Sequence, residues 1–340
     1  VDKKIYGLAD KAWQVVVGCD PRMPCAPRCW ARKTVARIVR CQEKEHSDRA
    51  AFFQIALTPD GKQWSGQTFL DETHLADPLK WRKPALIATG FHGDLFRLSG
   101  GNIMRVMNVA ARADWHTFLF LTKCSNLALE WATRWSDTAE SDYEPKLARG
   151  PEAVRKVHTC GRAMLFADML DAMGKPPAGC AYPLYDWMEG MCRWPDRFHH
   201  ISIGCSIMDQ VAADAQRPAM AALAALGWST HVWYEPAIGR VNWQGWEFIK
   251  LLIVGGETGA NPRPFVDNWA YVSLDWCQQH GIKFWMKQLG ANPVDSLGKM
   301  RGTMFLKTDR SGSRLESLPG LLRVRELPET FRRATAEVPR

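Results

Sequence analysis

The chain has 340 residues, 46% of them hydrophobic and 24% charged, which is an ordinary globular balance. No run approaches the roughly 18 uninterrupted apolar residues of a membrane span. The N-terminal Val1-Asp2-Lys3-Lys4-Ile5-Tyr6 lacks the charged-then-apolar pattern of a secretion signal, so cytoplasmic localisation is expected. Ten cysteines without such a signal argue for a reducing compartment rather than a disulfide framework. The net charge of +8 favours a polyanion such as nucleic acid as partner. Sixteen tryptophans suit a core, with some able to stack on a base.

The first apolar run, residues 13–17, reads as a buried strand. It is followed by Cys19, Cys25 and Cys29 within eleven residues, and then by helical patterning over 31–40. Residues 41–83 look like an excursion holding two possible strands, 52–57 and 67–70. Strands are then predicted at 85–89, 117–121, 200–204, 230–233, 251–254 and 283–286. Helices are predicted at 103–113, 126–134, 218–226 and 269–280. The segment 136–198 is longer than a normal strand-to-helix connection. It carries Cys160, Cys180 and Cys192 near His158, which are either a second cluster or, as their irregular spacing favours, buried free thiols. The chain after Leu289 is Arg-rich and weakly patterned, either a cover over one barrel end or partly disordered.

Apolar strands alternating with helices mean parallel strands covered by helices, in a barrel or an open doubly wound sheet. Polar residues fall after successive strands: Cys19, Asp94, Lys123, Ser206, Glu235, Gly255-Gly256-Glu257 and Lys287. That regularity favours a barrel, whose chemistry collects at the C-terminal strand ends. The expected organisation is an α/β barrel over residues 1–290, with the excursion 41–83 and an insertion at 136–198, then an extension over 291–340.

The spacing Cys19-x5-Cys25-x3-Cys29 suits an iron–sulfur centre, a zinc site or no metal at all. Structural zinc needs four N or S ligands. The next candidates, Cys41 and His46, are not close. Three thiolates on a cluster leave one iron open, and prolines at 21, 24 and 27 stiffen the loop as a cradle, so iron–sulfur is favoured. Lys123, Glu235 and Lys287 are charges at a barrel mouth, costly to bury unless paired with each other or with substrate. Gly255-Gly256-Glu257 is either a tight turn whose carboxylate caps a helix or a close backbone approach to a ligand. Asp94, Ser202 and Ser206 have plain loop or core readings as well.

A cysteine triad after the first barrel strand, with Trp30 after its last cysteine, resembles the radical S-adenosylmethionine (SAM) superfamily. The usual triad there is C-x3-C-x2-C, and this loop is longer. The chain also resembles a phage- and prophage-associated radical SAM group long known only as a domain of unknown function. The motifs carrying this are Cys29-Trp30, Asp94-Leu95-Phe96, Leu121-Thr122-Lys123, Ile203-Gly204-Cys205-Ser206 and Glu235-Pro236. They continue with Val254-Gly255-Gly256-Glu257-Thr258-Gly259, Arg263-Pro264 and Met286-Lys287-Gln288-Leu289-Gly290, in order across about residues 10–290.

The resemblance implies a partial (β/α)6-type TIM-like barrel with a [4Fe–4S] cluster on Cys19, Cys25 and Cys29. SAM would sit against Asp94, Ser202, Ser206, Gly255, Gly256 and Glu257, with Lys123, Glu235 and Lys287 as the catalytic set. It further implies SAM cleavage to a 5′-deoxyadenosyl radical, hydrogen abstraction, an electron donor such as flavodoxin or ferredoxin, and life in a bacterial host's cytoplasm. Within the group, the chain is similar to isomerases of phage thymidine hypermodification, which convert N-linked to Cα-linked glycyl-thymidine in DNA. A different nucleic-acid-modifying or base-repair lyase, and a non-catalytic zinc-stabilised nucleic-acid-binding protein, are the alternatives.

Overall fold

A computed structural model describes residues 8–41, 50–136, 198–299 and 311–331. In chain order the elements begin with β1 (Lys11–Ala12), β2 (Val16–Val17), α1 (Trp30–Cys41), α2 (Ala50–Ile55), β3 (Phe69–Leu70) and α3 (Asp77–Lys80). The middle of the chain gives β4 (Leu86–Thr89), α4 (Gly100–Arg112), β5 (Thr117–Thr122) and α5 (Ser125–Ser136). Then come β6 (Ile201–Ile207), α6 (Gln210–Ala225), β7 (Ser229–Tyr234) and β8 (Leu251–Gly255). The last are β9 (Phe265–Val266), α7 (Asp267–Gln279), β10 (Lys283–Gln288) and β11 (Pro293–Val294). The insertion expected at 136–198, with its three cysteines, lies outside the described residues apart from its two ends.

Strands β1, β4, β5, β6, β7, β8 and β10 pair side by side in that order, all parallel, as a curled half-barrel open between β1 and β10. This is one strand more than the six that the resemblance implies, the seventh being β10 at the edge. Period-2 alternation divides the sheet residues between two faces. Phe118, Phe120, Ile203, Val232, Val254 and Phe284 face the helices and form the larger core with Ile103, Val106, Met107 and Ala110 of α4. Leu119, Trp233, Leu251, Ile253 and Trp285 line the concave face with Leu86 and Ala88, and Leu8, Ala9 and Phe331 pack against them.

Gly204 of β6 is set by its neighbour on that concave face. A Cβ there would lie 2.2 Å from the His231 Nε2, so only glycine leaves room for the buried imidazole. The His231 Nδ1 bonds the Ser202 hydroxyl at 2.8 Å.

Three predictions need correction. The strand expected at 13–17 is divided. β1 pairs with β4 just before it, while β2 leaves the sheet to pair antiparallel with β3. The strand expected at 52–57 is helix α2 as far as Ile55, and beyond it Leu57 makes only an isolated antiparallel bridge with Trp64. Phe53, Ala56 and Leu57 bury against Ala31, Val35 and Ile38 of α1. The helix expected from 218 begins at Gln210, where the Asp209 side chain accepts from Ala212 N at 2.9 Å as an N-cap, and Pro218 is carried inside it.

Within the described residues 311–331, the chain from Gly312 to Arg325 touches the open edge of the sheet. Met286 N donates to Val324 O at 2.9 Å and Leu289 N to Gly312 O at 3.2 Å. The Arg325 guanidinium donates to Met286 O and Lys287 O at 3.0 Å each. Backbone groups of an edge strand are thereby satisfied rather than left to template association.

Candidate functional site

The cysteine loop leaves β2 and turns through a short 3-10 segment, Ala26–Arg28, whose start is favoured by the fixed φ of Pro27. Helix α1 follows at once, and Cys29 Sγ accepts from Arg32 N at 3.4 Å. Two ties hold the loop. Asp20 accepts from Arg22 at 2.8 and 3.0 Å and from Arg97 at 3.2 Å, and the Arg22 guanidinium holds its carboxyl well below the usual range. Arg28 donates to Asn261 O at 2.8 Å and stands 3.9 Å from Glu257. Cys19, Cys25 and Cys29 are free thiols, each half-buried.

These thiols open onto a cleft of about 440 Å³ at the C-terminal ends of the parallel strands. Ten of the twelve expected site residues line it: Cys19, Cys25, Cys29, Asp94, Lys123, Ser206, Glu235, Gly256, Glu257 and Lys287. Ser202 and Gly255 do not. Ser202 sits deeper on β6, where its hydroxyl donates to Ser229 O at 3.1 Å and meets His231. A Cβ on Gly255 would lie 3.4 Å from the Glu235 carboxylate, so this glycine packs beneath the site.

Asp94 is an internal tie. One carboxylate oxygen accepts from Phe96 N at 3.2 Å, the other from Lys123 N at 2.8 Å, and the Thr122 hydroxyl lies 2.8 Å from both. Burial pushes its carboxyl up, against those donors. This carboxylate fixes the end of β5 and therefore the backbone from which Lys123 projects. Burial, followed by the charge of Asp94, pushes the Cys19 thiol up to about 12.

Glu235 and Lys287 form a direct ion pair across the sheet, with side chains 14% and 7% exposed. Gln288 Nε2 adds a donor to the same carboxylate oxygen at 3.1 Å, and the Lys287 ammonium lies 5.6 Å from the Trp233 ring centre. Glu257 accepts from Arg263 three times, at 2.8, 2.9 and 2.7 Å, and the guanidinium holds its carboxyl low. Gly256 is required by the approach of the chain after β10, because a Cβ would lie 2.2 Å from Leu289 O. The bland and the functional readings of Gly255-Gly256-Glu257 thus meet in one place: the glycine serves packing and the carboxylate rims the cleft.

Lys123 is different. Among the described residues its ammonium has no carboxylate partner, although its backbone is fixed by Asp94 and by Gln216 Nε2 donating to its carbonyl at 2.9 Å. Residues that sequence reasoning did not single out are Arg28, Trp233 and Met208, which also line the cleft. Trp233 precedes Glu235 by two residues and shares its face, a signal that strand periodicity carries.

Among the described residues no three His, Cys, Asp or Glu side chains stand close enough to hold a single metal ion. Cys19, Cys25 and Cys29 line one cleft as free thiols, and thiolate is the ligand type that iron–sulfur clusters take. Among the described residues no helix is long and apolar enough to cross a membrane.

No curated protein and no solved structure matches the chain. A family model described as "Protein of unknown function (DUF5131)" matches residues 4–318, and the chain belongs to that family.

Proposed function

We propose that this protein is a radical SAM enzyme that rearranges a modified thymidine in DNA. The observation that carries the reading is the convergence of Cys19, Cys25 and Cys29 with Lys123, Glu235, Glu257 and Lys287 on one cleft at the strand ends. When bound there, a [4Fe–4S] cluster and SAM would supply hydrogen-atom abstraction from an unactivated C–H bond.

The chain's own residues would hold and orient. Cys19, Cys25 and Cys29 would carry the cluster and leave one iron for SAM. The Arg28 link to Asn261 and Glu257 joins the cysteine loop to the loop after β8, which narrows water access from that side. Ser206, whose hydroxyl donates to Glu235 O at 3.3 Å, and Gly256 would face the cofactor side. Lys287 and Glu235 offer an ammonium and a carboxylate in a fixed pair beside the Trp233 ring, and Lys123 offers an ammonium that among the described residues has no carboxylate partner. Such fixed charges suit a substrate bearing an amino acid substituent, which itself carries both signs. The proposed reaction is the isomerisation of N-linked glycyl-thymidine to the Cα-linked form, with flavodoxin or ferredoxin as reductant.

Incubation of the reduced, reconstituted enzyme with SAM and glycyl-modified DNA should yield a rearranged nucleoside of unchanged mass. SAM consumption with no new nucleoside would refute the substrate assignment, and a product of altered mass would favour a lyase.

A further inference from the structure

The charge of this chain is unevenly placed. Residues 20–41 contain Arg22, Arg28, Arg32, Lys33, Arg37 and Arg40 against the single carboxylate of Asp20. Six positive and one negative give +5 of the chain's +8 in this short stretch. Helix α1 sorts part of it. Ala31, Val35 and Ile38 bury against α2 and Trp64, and Lys33, Arg37 and Arg40 recur at the same i, i+4, i+7 spacing on an exposed face. At 1.5 Å rise per residue that stripe is on the order of 10 Å long, about three nucleotide steps of one strand. Among the described residues Lys33 and Arg40 have no carboxylate partner.

The same helix starts at the cleft. Trp30 lines it and is 48% exposed, and the side chains of Arg28 and Arg22 are 49% and 87% exposed. An exposed indole in line with the Lys33, Arg37 and Arg40 stripe is a surface on which a base can stack while its phosphates are neutralised.

We infer that the exposed face of α1, with Trp30 at the cleft rim, is the docking surface for the phosphodiester backbone of nucleic acid, and that it leads the strand into the cleft. This deepens the nucleic-acid part of the proposed function but needs no chemistry in the cleft. It is tested by binding alone, so a failure of the radical reaction would leave it standing.

Binding of the full chain to a fluorescent 20-mer duplex is followed by anisotropy across a salt series. The K33Q/R37Q/R40Q variant should weaken binding at least tenfold at low salt. It should also make the slope of log K against log salt shallower by about 2.7, from about 0.9 per lost phosphate contact. A charge-matched control, R82Q/K83Q/R112Q, removes three exposed cations at the opposite ends of the strands and should stay within about twofold of wild type. Trp30→Ala should weaken single-stranded binding about tenfold and leave the salt slope unchanged. Equal losses in the two triple variants, or an unchanged slope in the α1 variant, would overturn the inference. So would an α1 variant that binds DNA normally but accepts electrons slowly from an acidic flavodoxin, which would assign the face to the reductant. All six substituted cations are exposed, so thermal melts matching wild type should accompany each measurement.

Discussion

Lys287→Met tests the central ion pair of the cleft. The substitution keeps the length and apolar stem of the side chain and removes the ammonium that contacts Glu235. Glu235 would be left with Gln288 Nε2 at 3.1 Å as its remaining donor among the described residues. Breaking a buried pair from one side costs about 3–5 kcal/mol, because the surviving charge stays desolvated. Both side chains retain some exposure, 7% and 14%, so the lower end, about 3 kcal/mol, applies. Glu235→Gln strands the ammonium instead, beside the Trp233 ring, and should cost a similar amount. The double variant E235Q/K287M carries neither charge and should cost about 2 kcal/mol, far below the sum of the single losses. Urea unfolding at pH 7.5, with m-values shared among the four proteins, reads these differences. A K287M loss under about 1 kcal/mol, or additive single losses, would mean a solvated pair and refute the reasoning.

Two further predictions concern the architecture beneath the cleft. Burial holds the His231 imidazole neutral, with its pKa pushed down to about 3, whereas an unfolded histidine titrates near 6.5. The unfolded state therefore binds the extra proton, and stability contributed by His231 is full above about pH 6.5 and falls as pH drops toward about 3. At pH 5 the loss is about 2 kcal/mol relative to pH 7.5, and His231→Gln should flatten that part of the stability profile. Identical wild-type and variant profiles would contradict this. Gly256→Ala should destabilise by about 3 kcal/mol, since the new methyl meets the backbone of Leu289 rather than a flexible side chain. Chemical unfolding decides it, and a loss below about 1 kcal/mol would return Gly256 to a ligand-facing role alone.

The parallel half-barrel was legible because each central strand is an apolar run closed by a polar residue. The six runs from 85–89 onward fall on β4 to β8 and β10. Legibility failed where one apolar pattern serves two structures. Phe53, Ala56 and Leu57 fit a short strand or a helix, and only the neighbouring face of α1 decides. The run at 13–17 passes from the edge of the seven-stranded sheet, at β1, into the small β2–β3 pair, a placement that spacing does not encode. In the site, ten of the residues named from their strand-end positions line the cleft. It could not distinguish Asp94, which is consumed by Thr122 and Lys123, from a carboxylate available to a ligand. Nor could it place Ser202, since only register puts that residue one layer deeper, beside His231.

The proposed function stands on Cys19, Cys25 and Cys29 holding an iron–sulfur cluster that cleaves SAM. The direct measurement is iron and sulfide content after anaerobic reconstitution, paired with SAM turnover under reduction, on wild type and on the C19A/C25A/C29A variant. About four irons per wild-type chain, visible absorption bleached by reductant and release of 5′-deoxyadenosine are expected, all lost in the variant. A colourless wild-type protein carrying zinc, or iron uptake that survives loss of the three thiols, would contradict it.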